Sequence, residues 1–509
     1  MTETGKDNSI IIIGAGFAGL SAGIYAQMNG YKTQILEMHD KTGGLCTSWK
    51  RKGYIIDGCI HWFVGSSPES SMHDYWEEVG VTQGRDFIYM DEYMHFESSD
   101  GRVLTFYTDI DRLEKHLLEF SPQDAVKIGE FINAIRVCLA FDMPSKDTPF
   151  GQKLIKRLRL GWTFVTKGKK IQEWMKTTGK EFASGFRDPV LKRAFDEMWM
   201  PEFSIVFLFF TFAYLHNRNA GYPLGGSMPL SKALEDRYKS LGGTIHYKKR
   251  VEKILTVGNK ASGISLDDGT EFHCSRVISC ADGYSTIFKM LEGKYIDEKI
   301  RHMYEKWIPF YPLIFIGLGV NREFDDVNPS VSGFTFPLKE EVKIGDRMVD
   351  RLPVHLYHHD PSMSPEGRTV LTVMLETDYE YWKKLYEDRK QYDRKKEEIA
   401  STVIALLEQR FPGISSQVEM TDVATPVTFE RYTGNWKGSF EGWQITPENS
   451  YTMMKPMSQT LPGLNSFYMC GQWVEPGGGL PTGVMSARRL LKTICREDNR
   501  KFKTTILNS

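Results

Sequence analysis

The chain lacks what a membrane-spanning, disulfide-stapled or nucleic-acid-binding protein needs. Its greasiest stretch, Phe203 to Tyr214 (FSIVFLFFTFAY), is twelve residues long. That falls short of the roughly 20 needed to cross a bilayer, so it reads as a buried segment. The seven cysteines (46, 59, 138, 274, 280, 470, 495) are an odd, scattered set with no C-x-x-C pair. Such usage argues against a disulfide framework and a zinc site and suits a reducing cytosol. The formal net charge is −1, so no overall field recruits nucleic acid. The first apolar run is too short for a signal peptide. These absences predict a cytoplasmic protein. There is no internal repeat and no low-complexity segment.

What is present starts at Ile10-Ile11-Ile12-Ile13, which runs into Gly14-Ala15-Gly16-Phe17-Ala18-Gly19. A buried strand feeding a GxGxxG turn is the dinucleotide-binding pattern. Gly14 makes the turn, Gly16 lets backbone approach a pyrophosphate, and Gly19 lets helix and strand pack closely. The spacing predicts a helix over about Phe17 to Met28 with its positive end at the phosphates and Gly30 as its cap. A strand over Lys32 to Leu36 then ends in Glu37, which suits ribose hydroxyls and would repel a 2′-phosphate. No second strand–GxGxxG–helix unit occurs, because Gly225-Gly226 lacks that context. One nucleotide cofactor and no dedicated nicotinamide domain are therefore expected, with electrons exchanged through oxygen, a quinone or another redox protein.

Along the chain, residues 1 to about 75 read as α/β and residues 80 to 215 as helical and charged. The α/β pattern returns at 221 to 290, and 300 to 450 mixes strands (Leu313 to Leu318, Thr369 to Leu375) with a helix over about Gln391 to Arg410. That helix carries Ile399, Val403, Leu406 and Leu407 on one face and stops before Pro412. Two domains follow. A discontinuous nucleotide domain comprises residues 1–78, 215–295 and 455–509; an inserted mixed α+β substrate domain comprises 79–214 and 296–454. The polar residues after about Arg496 are expected to fray.

Further glycine clusters lie at Gly43-Gly44-Leu45-Cys46, Gly53 to His61, Gly221 to Ser227, and Gly471-Gln472-Trp473-Val474-Glu475-Pro476-Gly477-Gly478-Gly479. The last leads into a helix whose dipole would stabilise negative charge on a reduced flavin. Segment 151–180 carries nine Lys or Arg and one acid, Glu173, interleaved with Leu154, Ile155, Leu158, Leu160, Trp162, Phe164 and Val165. A basic amphipathic segment of this kind can face an anionic membrane surface, so a peripheral membrane protein is expected; its ordinary alternative is a solvated face on a core helix.

The order of these blocks resembles the FAD-dependent carotenoid (phytoene) desaturase, carotenoid isomerase and retinol saturase family, related to the flavin amine oxidases. The residues that carry the resemblance are GAGFAG at 14–19, GGLCTS at 43–48, GYIIDG at 53–58, YPLGGS at 222–227, RVEKI at 250–254, TPVTFERYTGNWKGSFEGW at 425–443 and GQWVEPGGGLPTGVMSAR at 471–488. It implies an α/β fold with a Rossmann-type, GR2-like FAD-binding domain. The implied cofactor contacts are Gly14, Gly16, Phe17, Ala18, Gly19, Glu37, Met38, Gly43, Gly44, Leu45, Gly58, His61, Val251, Ala281, Gly471, Gln472, Pro476, Gly478, Gly479 and Leu480. Many relatives carry arginine where this chain has Leu45, and threonine-histidine before the proline where it has Val474-Glu475.

The expected function is FAD-dependent oxidoreduction at a carbon–carbon bond of an apolar polyene or isoprenoid-like lipid: desaturation, saturation or isomerisation by hydride transfer at flavin N5. Two alternatives stand beside it. One is amine oxidation at a C–N bond, with Trp436, Trp443 and Trp473 as an aromatic cage. The other is a flavin-stabilised lipid carrier without turnover. His61, Glu475 and Arg431 are the catalytic candidates, chosen by proximity to the glycine blocks; His216 and Glu430 are weaker ones. No metal is implied.

Overall fold

The computed structural model describes residues 8–142, 145–146 and 148–507. The four isoleucines form the middle strand, Ser9–Ile13, of a five-stranded sheet. Lys32–Leu36 and Arg276–Ser279 flank it, with Thr244–His246 and Phe467–Met469 outside them, and every pairing is parallel. A parallel sheet is covered on both faces, which is why the strand is apolar at every position rather than at alternate ones. Ile10 and Ile12 point into a core shared with Leu20 and Ile24 of helix Phe17–Met28. Ile11 and Ile13 point the other way, towards Ile254 and Ile264 of a three-stranded antiparallel sheet built from Val251–Val257, Lys260–Leu266 and Glu271–His273. Helices Ser227–Ser240 and Leu480–Glu497 pack beside Phe17–Met28. The expected Rossmann-type layering is present.

The second sheet has seven strands in the order Val418–Ala424, Leu313–Val320, Thr369–Glu376, Arg347–Leu356, Phe334–Ile344, Glu92–Glu97 and Val103–Tyr107. All its pairs are antiparallel except Phe334–Ile344 with Glu92–Glu97. Helix Arg389–Arg410 starts at Asp388, whose side chain accepts from the N–H groups of Lys390 and Gln391, and buries Ile399, Val403, Leu406 and Leu407 against this sheet. Hairpin Ser48–Arg51/Tyr54–Asp57 lies between the two sheets. Tyr54 and Ile56 fill the space a Cβ would need at Gly319 and Gly317, with contacts of 2.6 and 2.9 Å.

Two expectations are corrected. Residues 80 to 215 are not wholly helical, because Glu92–Glu97 and Val103–Tyr107 are strands of the large sheet. A bulge between Glu92 and Met94 breaks the alternation that would have marked the first of them. The residues after Arg496 are not frayed either. Asn29 donates to the Lys503 carbonyl at 2.9 Å and accepts from its N–H at 2.8 Å. Arg237 donates to the Thr505 carbonyl, and the ring of Phe502 lies 5.9 Å from that of Tyr25. Polar side chains that read as solvated instead strap this segment over the first helix.

The greasy stretch forms helix Val206–His216 with most of its residues buried. Among the described residues, no helix is long and apolar enough to cross a membrane.

Candidate active site

Both glycine-led helices begin at the rim of one cavity of about 1440 Å³. Ordinary ligand pockets measure about 300–1,000 Å³, so this one has room for a large cofactor together with a substrate. Helix Phe17–Met28 starts at Gly16 and helix Leu480–Glu497 at Gly479; neither has a side-chain cap or an acid in its first turn. Both positive helix ends therefore face the cavity, the first open and the second giving its Gly479 N–H to Glu441 at 3.1 Å.

The first turn is held from within. Gly14 (φ +95°) donates to the Leu36 carbonyl at 2.8 Å, and Gly43 donates to the Ala15 carbonyl at 2.9 Å. Glu37 accepts from Ala15 N–H at 2.7 Å and from His39 N–H at 2.8 Å. Burial raises its pKa and these N–H groups oppose the rise. Each carboxylate oxygen keeps a further lone pair for a ribose hydroxyl.

The glycines divide by what they touch. A Cβ at Gly19 would lie 1.9 Å from the Gly14 carbonyl oxygen, so Gly19 serves the fold. A Cβ at Gly16 would meet only Gly43 O at 3.8 Å and Gly44 Cα at 3.9 Å, ordinary contacts. Gly16 thus keeps open space above the turn that the protein itself does not fill, which is the cradle a pyrophosphate requires.

At the other end, Gly477, Gly478 and Gly479 all have positive φ, a bend open only to glycine. Asp57 holds the neighbouring loop. It accepts from Ser227 N–H and Oγ, both at 2.6 Å, and from Cys59 and Ile60 N–H at 2.9 and 3.0 Å. A Cβ at Gly226 would fall 2.3 Å from Asp57 Oδ2. The 222–227 block therefore seats this carboxylate rather than lining the cavity.

Between the two glycine ends the wall is aromatic: Trp62, Trp199, Phe207, Phe210, Phe310 and Phe440 among others. Carboxyl groups interrupt it at Asp196, Glu197, Glu376 and Glu441, and Glu441 is the one held against the glycine bend. Glu441 lines the cavity, with Oε1 accepting from Gly479 N–H at 3.1 Å and Oε2 where a Gly478 Cβ would stand. Glu441 is half-buried, and burial pushes its pKa up to about 7 against the lowering effect of the Gly479 N–H. Asp282, raised to about 6 by burial, is spoken for by the N–H groups of Ser285 and Trp436 at 2.7 and 2.8 Å.

A family model described as flavin containing amine oxidoreductase matches residues 17–490. The chain belongs to the flavin containing amine oxidoreductase family. This flavoprotein is an FAD-dependent oxidoreductase, and the cradle at Gly16 with the open end of the first helix fits that cofactor. It is 25% identical to prolycopene isomerase 1 of an Oncidium hybrid cultivar, over 96% of this chain and 84% of the relative. It is 23% identical to the lycopene-forming phytoene desaturase of Pseudescherichia vulneris, over 96% and 99%. Among solved structures, cyclohexylamine oxidase from Brevibacterium oxydans superposes with a TM-score of 0.60 at 13% identity, covering 97% of this chain and 100% of the other. That likeness concerns the fold alone.

Of the twenty residues expected to touch FAD, eighteen line the cavity; Gly19 and Pro476 do not. Gly19 packs beneath the turn, and Pro476 precedes the bend. The catalytic candidates separate more sharply. His61 faces the cavity, its ring centroid 4.7 Å from that of His355, and burial pushes its pKa down to about 4. Glu475 does not line it and instead pairs with Arg489 at 2.5 Å. Arg431 reaches the rim beside His39 and stacks on Tyr432, at the end where Glu37 sits. Neither of the last two is placed to act on a substrate in the aromatic region. His216 accepts from Ile110 N–H, and Glu430 accepts from the Tyr379 hydroxyl at 2.6 Å, so both are structural.

Of Trp436, Trp443 and Trp473, only Trp473 lines the cavity, so the three do not form a cage around it. They pack on one another and on Trp307 and Tyr304, with Trp443 and Trp473 centroids 4.9 Å apart. Glu441 was missed by sequence reasoning. Its signal was weak: a lone acid between Phe440 and Gly442.

Proposed function

We propose that this FAD-dependent oxidoreductase acts on a carbon–carbon bond of an apolar polyene or isoprenoid-like lipid. The observation that carries the reading is the chamber wall. Beyond the glycine bend it is dominated by Trp, Phe and Tyr side chains, with Glu441 held against the bend and His61, Asp196, Glu197 and Glu376 elsewhere on the wall. Such a wall recognises shape and apolar surface rather than a charged head group. The two sequence relatives, a prolycopene isomerase and a phytoene desaturase, support the same substrate class. The tryptophan packing removes the cage on which the amine reading depended. When bound, FAD supplies the two-electron exchange with substrate carbon. The chain's residues hold it: Gly16 and the first helix end receive the pyrophosphate, Glu37 the ribose, and Gly471 with Gly477, Gly478 and Gly479 of the bend receive the ring. The acceptor or donor of those electrons is oxygen, a quinone or a redox protein.

Helix Phe150–Lys176 supports delivery of such a substrate from a membrane surface. Ile155, Leu158, Trp162 and Val165, spaced by three and four, are 64–82% exposed. Lys156, Arg157 and Arg159 lie among them, and the buried residues of this helix fall mainly in its last turns: Ile171, Trp174 and Met175. An exposed apolar stripe set in basic residues matches an anionic lipid interface.

The test is anaerobic incubation of FAD-loaded protein with phytoene or prolycopene in liposomes, followed by flavin spectra and product chromatography. Conversion of either polyene is expected. Conversion of neither, together with bleaching by simple amines, would replace this reading with amine oxidation.

A further inference from the structure

We propose that Glu441 is the proton-exchanging group of the chamber. The inference rests on the carbon–carbon chemistry above and deepens it.

Glu441 is fixed rather than merely present. Its backbone carbonyl accepts from Asn435 Nδ2 at 3.0 Å and Ser439 Oγ at 2.7 Å, and the next carbonyl, Gly442, accepts from Phe310 N–H at 3.0 Å. Oε1 is anchored to Gly479 N–H at the start of the last long helix. Oε2 occupies the volume left by the missing side chain of Gly478, where a Cβ would stand 1.5 Å away, and Phe310 closes the same corner at 3.1 Å. The triple-glycine bend thus makes room for two things at once, a flat ring on one side and a carboxyl oxygen on the other.

The surroundings keep this group in play near neutrality. Burial is the main influence on it, the Gly479 N–H partly offsets that, and no cationic partner contributes. Its ionisable neighbour is the Cys59 thiol, itself pushed up by Cys46 and by burial. A carboxyl group against aromatic walls without a cation is the arrangement that makes a weak acid usable as both donor and acceptor at pH 7. His61, across the chamber, is neutral at that pH.

In desaturation, one hydrogen leaves substrate carbon with its electron pair, which FAD accepts. The bond to hydrogen on the adjacent carbon breaks, its electrons form the new π bond, and the proton goes to Glu441 Oε2 and then to water. In saturation the same events run backwards, and Glu441 protonates carbon. Isomerisation transfers no net proton, but Glu441 can lend one to the polyene and take it back.

The experiment compares the FAD-loaded wild type with Glu441→Gln and Glu441→Asp. Infrared difference spectra between pH 6 and pH 8 are recorded first, because they need no substrate. A protonated-carboxyl C=O band that titrates near 7 in the wild type and is missing in Glu441→Gln is expected. Identical wild-type and Glu441→Gln difference spectra would overturn the proposal, whatever the substrate. Turnover of phytoene and prolycopene is measured second. Glu441→Gln should keep its flavin spectrum while kcat falls a hundredfold or more, KM changes little, and the pH limb near 7 disappears; Glu441→Asp should restore part of kcat with a displaced limb. Glu441→Gln turnover within threefold of wild type, with the limb intact, would also overturn it. A wild type that converts neither polyene yet shows the titrating band would count against the substrate assignment and leave the carboxyl assignment supported.

Discussion

The two ends of the cavity are built from different materials. The nucleotide end is made of backbone: Gly14, Gly16, Gly43 and Gly44, with Glu37 accepting from Ala15 N–H of the turn and from His39 N–H. The substrate end is made of side chains drawn from distant segments, among them Trp62, Trp199, Phe310 and Glu441. A backbone cradle accepts one shape and tolerates no added carbon. A side-chain wall can be re-cut without disturbing the fold. The difference predicts that changes at the first end act on folding or on cofactor retention, while changes at the second act on chemistry and specificity.

The largest effect should come from Gly19→Ala. Its new Cβ would lie 1.9 Å from the Gly14 carbonyl oxygen, and the cost of forcing strand and helix apart is about 3 kcal/mol or more. Insoluble protein, or a collapse of the thermal midpoint with or without FAD, is expected. A variant as stable as wild type would show that the turn is softer than drawn. Gly16→Val is next and should behave differently, because its Cβ meets ordinary contacts in the protein. Folded, colourless protein with FAD affinity at least a hundredfold weaker, about 2.7 kcal/mol, is expected by circular dichroism and flavin titration. Stoichiometric flavin in that variant would break the comparison at its root.

At the substrate end, pH supplies a subtler contrast. Glu441 has a folded pKa raised to about 7 by burial. The native state holds its proton more tightly than the unfolded chain, so stability is fully present below the ordinary carboxylate range and declines as pH rises through 7. Thermal melts from pH 5 to 8 should therefore show the wild type losing ground to Glu441→Gln. His61, lowered to about 4 by burial, works in the opposite direction: below the ordinary imidazole range the unfolded chain binds a proton the native state refuses, so stability rises with pH up to about 6.5 and His61→Phe should remove that rise. A decline through pH 7 that vanished with His61 rather than Glu441 would reverse their roles. The smallest effect on the folded enzyme should come from changing Lys156, Arg157 and Arg159 to Glu. Melting and flavin content should stay the same while sedimentation with anionic liposomes weakens several-fold. Unchanged sedimentation would leave this helix a solvated face.

The same division explains what could be read from the sequence. The nucleotide end was legible because its demands are local: strand, turn, helix and acid follow one another within thirty residues, and Phe17–Met28 and Lys32–Leu36 fall where the spacing placed them. The helices at Arg389–Arg410 and Leu480–Glu497 were legible from periodicity and glycine placement. The catalytic candidates were chosen by nearness in sequence to glycine blocks, and that criterion fails where a chain turns. Glu475 sits one residue from Pro476 yet points at Arg489. Glu441 lies far from the 477–479 bend in sequence and reaches it through contacts that no local pattern encodes. The tryptophans were misplaced for the same reason, since aromatic residues near a site read alike whether they face it or pack behind it. The strand Glu92–Glu97, next to the sheet edge, was hidden by its bulge.

The strap formed by residues 502 to 505 carries a consequence for biogenesis. The opening helix lies against the helix Leu480–Glu497 and is tied through Asn29 to Lys503. The middle strand likewise waits for Arg276–Ser279, which in turn waits for Phe467–Met469. A ribosome delivers the phosphate turn first, but its supports come last, so the dinucleotide site cannot close until nearly all the polypeptide has been released. Loading of FAD is then a late event, and cells short of flavin should accumulate a chain whose first-made part is its least finished.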